Sequence, residues 1–330
     1  MRLPVNAVND PENLCYHMRP RHENSLKGIL MKKAYVVIIA LVMLISMVAV
    51  SLYYYLNRPT TSSEIRISTN PWVGFTPLIY AQEKGWLDDS PFKFIWLVDL
   101  TDNARLYRRG FTQGFTATQY ELMHFKEQHA IKPVFLIDHS YGADAILSNR
   151  SLDELRSSKS PVKVFLERGS LNEDFFNAFV RENGLDTKIF SQIDSSQKNI
   201  SAMPMLSEAV MLISYSPYLS ELQKKGYRTV ASTRTLKNFY VIDALFVDEK
   251  VIDGNEEEFA RLKEIMVLAI KRFKQDPKEY YSVIKGYLEG QTYEEFIEST
   301  EGIEWLHDTV PPTIVEYLQS QKIKTDRLLP

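Results

Sequence analysis

Chemistry in this chain would have to come from a short set of side chains. Asp138, His139 and Ser140 are contiguous, and those three types supply the orienter, base and nucleophile of a hydrolytic triad. On an extended strand, however, adjacent side chains point to opposite faces, so contiguity works against a triad. The sequence has no G-x-S-x-G elbow and no H-E-x-x-H helix. His124 and His129 miss the i, i+4 spacing that puts two imidazoles on one helical face. The single cysteine, Cys15, excludes an intrachain disulfide and a Cys-based zinc site. We therefore expect no catalytic residues, no metal and no cofactor. Binding is the chemistry left. Asp144 and Asp243 could hold a cationic group, or could pair with backbone N–H or arginine. Tyr141, Tyr215 and Tyr240 could stack on a ring or a cation, or could be core.

The element that would position such residues begins at Ile65. Ile65 and Ile67 alternate with polar neighbours, as in a short strand. Asn70-Pro71 breaks it, and Gly74 permits a sharp turn or close approach of backbone to a ligand. Thr76 and Pro77 read as an N-cap and first helical position, and Gly85 as the stop. A strand is thus aimed at a helix start, with Trp72 and Phe75 beside free N–H groups, a wall for a small, partly polar ligand. Trp72 and Phe75 read equally well as core. The same grammar recurs. Thr118 with Glu121, Ser151 with Glu154, Ser170 with Glu173 and Thr292 with Glu295 have capping-box spacing. Apolar runs at 92–97, 133–137, 162–166, 210–214 and 239–247 precede or follow such helices. The pattern is that of an α/β protein. Glu256 to Lys274 reads as an amphipathic helix, acidic at its start and basic at its end.

With 330 residues, 45% hydrophobic and 25% charged, the chain has the length and composition of one large globular domain or two ordinary ones. A net charge of −3 and the lack of a basic stripe argue against nucleic-acid binding. From Ala34 to Leu56 there is no charged residue, a length that predicts a transmembrane signal anchor over 34–56. Bases before it outnumber those close behind, which puts 1–33 in the cytoplasm and the remainder in the periplasm or outside. The localisation expected is therefore the inner membrane, single-pass. The competing expectation is a cleaved signal peptide, cut near Ala49-Val50-Ser51. Met31-Lys32-Lys33 offers a second translation start, which would leave 1–30 untranslated. Residues 57–63 read as a polar linker.

Four segments in order then carry a resemblance: Trp72-Val73-Gly74-Phe75-Thr76-Pro77-Leu78, Asp138 to Ile146, Glu167-Arg168-Gly169-Ser170 and Tyr215-Ser216-Pro217-Tyr218-Leu219. Over about 64–310 the chain resembles the periplasmic solute-binding proteins of ABC importers for nitrate, sulfonates, taurine and thiamin-precursor pyrimidines. The resemblance implies a two-lobed, type II periplasmic-binding-protein fold with two crossing strands, near 145–149 and 240–244. Lobe one would be 64–147 plus 242–330, and lobe two 148–241. It also implies ligand-binding roles for Asn70, Trp72, Gly74 and Phe75 in a first loop and for Thr118 at a turn. Ser140, Tyr141, Gly142 and Ala143 would form a second loop, Gly169 and Ser170 a helix start, and Tyr215 and Asp243 the far wall and second crossing. The chain departs from the family pattern at 110–114, at 207–211 and at Ser216, which leaves the ligand class open. The implied function is capture of a small organic solute between the lobes for an ABC permease. The alternative partner is a membrane sensor protein that reads the ligand-bound form. A third possibility, an enzyme akin to pyrimidine-precursor synthases, lacks the Cys-rich segment those enzymes use.

Overall fold

The structure is a computed structural model that describes residues 23–56, 64–125, 130–307 and 309–329. Most of the expected cytoplasmic segment, Cys15 included, lies outside them, as do His129 and the whole of the expected linker. The chain forms two compact units, 1–61 and 62–330. The described part of the first is one helix, Glu23–Leu56. Its side chains are described without a break from Tyr35 to Ser51, and all of these are exposed. Among the described residues no helix is long and apolar enough to cross a membrane. The anchor expected over 34–56 therefore rests on the sequence.

The second unit holds eleven strands: β1 (Ile65–Thr69), β2 (Phe92–Trp96), β3 (Gly114–Thr118), β4 (Ile131–Ser140), β5 (Asp144–Ser148), β6 (Val162–Leu166), β7 (Phe190–Asp194), β8 (Val210–Tyr215), β9 (Arg228–Ser232), β10 (Val241–Asp248) and β11 (Ile303–Trp305). They form two sheets, ordered β11-β4-β10-β3-β1-β2 and β7-β6-β8-β5-β9. β1 runs parallel to β2 and β3, and β6 parallel to β7 and β8. The strands nearest the passages between sheets are antiparallel: β10 against β3 and β4, and β5 against β8 and β9.

The chain leaves the first sheet through 141–143 and returns through 233–240. Residues 145–148 pair inside the second sheet, and 241–244 inside the first. Both runs are apolar because each is sandwiched between two neighbours, and β5 is buried along its whole length.

Local chemistry explains the helix starts. Thr118, Ser151 and Thr292 each form a complete capping box. Ser170 forms half of one. Its hydroxyl accepts from the Asn172 N–H, while Glu173 reaches the Gly169 N–H instead of the cap backbone. At Thr76 the cap lies one residue earlier than the sequence suggests. Residues Val73–Phe75 make a 3-10 turn, the helix is Thr76–Glu83, and the Thr76 hydroxyl donates back to the Val73 carbonyl at 2.8 Å. Pro133 lies inside β4, where it has no N–H to give, and the ladder to β10 shifts register beside it. Helix Glu256–Gln275 buries Phe259, Leu262, Met266, Ala269 and Ile270 against the core. Neighbouring helix Pro277–Ile284 contributes Tyr280, stacked on Tyr80 at 4.5 Å.

Candidate functional site

The two sheets meet at a set of buried acids. The register of β4 and β10 pairs Asp138 with Asp243, and β5 begins at Asp144, opposite Tyr215 on β8. Glu167 follows β6 directly, and Glu121 lies in the helix Gln119–Met123 capped by Thr118. All five carboxyls are at most 2% exposed. Burial is the largest influence on each and pushes every one upward: Asp138 to about 8, Asp144 to about 7, Glu121 above its usual value, and Asp243 and Glu167 well above it. Their mutual repulsion adds to this. Asp144 acts on Asp138, Glu121 acts on Asp144 and Glu167, and Asp138 acts on Asp243. Asp99 likewise acts on Glu167. No lysine, arginine or histidine is among the leading influences on any of the five.

The aromatic side is Trp72, Tyr215 and Tyr218. The Trp72 indole N–H donates to both Asp138 oxygens at 3.2 Å. Its ring meets Tyr215 edge-on at 5.9 Å, and Tyr215 meets Tyr218 the same way at 5.6 Å. Trp72 belongs to the first sheet's loops and Tyr215 to the second sheet, so this contact spans the junction. Gly74 is needed here because a Cβ at that position would fall 1.9 Å from Asp138 Oδ2.

Several polar contacts hold the halves together, three of them made by Glu121, Asp99 and His124. Glu121 Oε1 accepts from the Leu171 N–H at 2.5 Å, while Oε2 accepts from the Thr118 N–H at 2.9 Å. Asp99 Oδ1 accepts from the Gln197 N–H at 3.1 Å, and His124 Nε2 lies 3.0 Å from Asp174. Inside this closure several buried polar atoms have no partner: Asn70 Nδ2, Asp144 Oδ2, Asp243 Oδ2, both Glu167 oxygens and the hydroxyls of Tyr215 and Tyr218. Buried polar atoms are almost always bonded, so this concentration calls for an explanation.

The residues expected to bind ligand fall into three groups. Asn70, Trp72, Gly74, Thr118, Tyr215 and Asp243 lie in or beside the acid set. Ser140, Gly142, Ala143 and Ser170 serve the backbone around it. Ser140 shares a hydrogen bond with Thr233, Gly142 donates to the Thr233 hydroxyl, Ala143 donates to the Gly302 carbonyl, and Ser170 caps a helix. Phe75, Tyr141 and Gly169 do not join it. Phe75 is fully buried in the apolar core, Gly169 is exposed, and Tyr141 is 51% exposed with the Arg234 guanidinium over its ring at 5.2 Å. Sequence reasoning tested Asp138 as a triad member and missed it as a site residue, along with Asp99, Glu121, Glu167 and Gln197. The available signal was an acid standing at the end of an apolar strand, at Asp138 and Glu167.

A separate surface groove of about 350 Å³ runs beside the passages, lined by Gly142, Ser216, Lys224, Arg234 and Glu295 among others. Its cations are already paired: Lys224 with Glu221 and Glu295, and Arg234 with the carbonyls of Tyr141 and Glu301.

No family model matches the chain, and no curated protein matches it in sequence. Solved structures do match in shape. A zinc-bound ligand-binding component of an ABC-type import system from Staphylococcus aureus superposes with a TM-score of 0.62 at 15% identity, covering 81% of this chain and 96% of that one. The alkanesulfonate-binding protein of Xanthomonas axonopodis, bound to MOPS, gives 0.62 at 11% identity, covering 78% and 90%. The periplasmic nitrate-binding protein of Synechocystis gives 0.53 at 14% identity, covering 71% and 69%. The two sheets, the antiparallel strands at the passages and these likenesses together identify the architecture: the second unit has the two-lobed fold of the periplasmic solute-binding proteins of ABC importers.

Proposed function

We propose that this protein is a membrane-anchored binding protein, held by a single-pass helix over 34–56 with 64–330 in the periplasm, that captures a small organic solute between its two lobes for an ABC importer. The expected lobe limits at 147 and 241 shift to the passages, because β5 pairs with β8 and β9: lobe one is 64–140 with 241–330, and lobe two 144–232. One observation carries the reading. The unpartnered polar atoms of Asn70, Asp144, Glu167, Tyr215, Tyr218 and Asp243 all lie where the two sheets meet, beneath the contacts that hold the halves closed. A site of this kind is complete only with a guest. Solute binding would favour the closed arrangement in which Glu121 reaches Leu171 and Asp99 reaches Gln197. Recognition alone is the chemistry; no bond of the solute is broken. The chain's uncharged 34–56 run supports the anchor, and the ABC-importer proteins of the same fold support the partner.

Thermal unfolding of the full chain against a library of small solutes tests this. At least one solute should raise the melting temperature. Trp72→Ala should abolish that rise, because Trp72 holds Asp138 and touches Tyr215. A rise that survives Trp72→Ala would move the site elsewhere.

A further inference from the structure

Building on the binding-protein reading above, we infer that the solute is a small organic cation carrying N–H donors, an ammonium or amidinium group, seated among Asp144, Asp243 and Glu167 against Tyr215. The first ground is the balance of open valences. Four unpartnered atoms are carboxylate oxygens, two are tyrosine hydroxyls, and a single one, Asn70 Nδ2, is an obligate donor. Asn70 is fixed in that sense, since its Oδ1 accepts from Asn103 Nδ2, which also donates to the Thr116 carbonyl. A sulfonate, nitrate or carboxylate guest offers only acceptors and would meet acceptors. An N–H cation offers what these oxygens lack.

The second ground is charge. Most elements at the junction bring an acid or a phenol: Asp99 before the helix Leu100–Arg108, Glu121 after β3, Asp138 on β4, Asp144 on β5, Glu167 after β6, Tyr215 and Tyr218 at the end of β8, and Asp243 on β10. Asp138 and Glu121 are met by the N–H groups of Trp72, Thr118 and Leu171, and burial keeps protons on the carboxyls of the set. A cation with N–H donors replaces those protons, and the proton leaves to solvent as the guest enters. The acids do not converge tightly enough for a metal: no group of three His, Cys, Asp or Glu among the described residues is placed to hold one.

The test is calorimetric titration and thermal unfolding of the full chain in mild detergent with putrescine, agmatine, tetramethylammonium, taurine, methanesulfonate, a neutral aminopyrimidine and zinc chloride. Putrescine or agmatine should raise the melting temperature. The binding heat should change between buffers of different ionisation enthalpy in the sense of proton release. Tetramethylammonium, which has charge but no N–H, should bind at least tenfold more weakly. Binding by methanesulfonate, by taurine, by the pyrimidine or by zinc in place of the amines overturns the cationic class and leaves the binding-protein reading standing. A flat response to every solute overturns both.

Discussion

The two ends of β4 bury charge in opposite ways. Lys132, near its start, is 2% exposed at its side chain and is met by Asp326 at 3.1 Å and Glu249 at 3.5 Å. Asp138, near its end, is fully buried and is met by the Trp72 N–H and by another carboxyl, Asp243. The first end is a finished arrangement: a buried cation brought its own anions, and Asp326 is held below its usual range by that lysine. The second end is unfinished, because its acids have each other and no cation. A strand that can complete one buried charge could complete the other by a single substitution. That it does not is the physical reason to assign the acid end to a guest rather than to stability.

Removing the partners at the finished end should cost most. Asp326→Asn with Glu249→Gln leaves Lys132 buried without an anion, and chemical denaturation should show a loss of about 3 kcal/mol. A loss below about 1 kcal/mol would mean that water already reaches the ammonium, and the contrast would collapse. The next effect is on pH. Asp138 and Asp144 have folded-state values of about 8 and about 7, above the ordinary 3.8. The folded state therefore binds more protons than the unfolded chain between these values, and stability must fall as pH rises through that window. The ligand-free melting temperature should drop by several degrees from pH 5 to pH 8. A ligand-free melting temperature that rises over that range would remove the buried-acid account. Glu121→Gln should give the smallest change. The amide can no longer accept from both the Thr118 and Leu171 N–H groups, so about 1–2 kcal/mol should be lost. The loss should appear in solute affinity as well as in denaturation, because Leu171 lies across the junction.

Much of this architecture was legible in the residues. Three of four capping-box spacings close as boxes, and the strands at 65–69, 92–96 and 210–215 follow their apolar runs. These are local signals, written in neighbours a few positions apart. The passages between sheets were harder, since 145–148 and 241–244 are apolar whether they cross or lie inside a sheet. The site was legible in part for the same reason. Trp72, Thr118, Tyr215 and Asp243 could be named from their loops. The closure made by Glu121 on Leu171, with a separation of 50 residues, has no local trace. Glu121 looked like a capping residue and is one; its second oxygen does the other work. Tyr141 shows the converse. Its neighbours matched a binding loop, but the ring turned outward to Arg234.

Asp243→Asn, measured ligand-free and with amine at pH 8, is the most direct test of the central claim that the acid set is completed by a guest. Losing one buried carboxyl relieves repulsion with Asp138 and Asp144, so the ligand-free melting temperature should rise while the amine-induced increase shrinks or vanishes. A variant that melts lower without ligand and keeps the full amine response would contradict the account, since Asp243 would then be structural in the way Lys132 is.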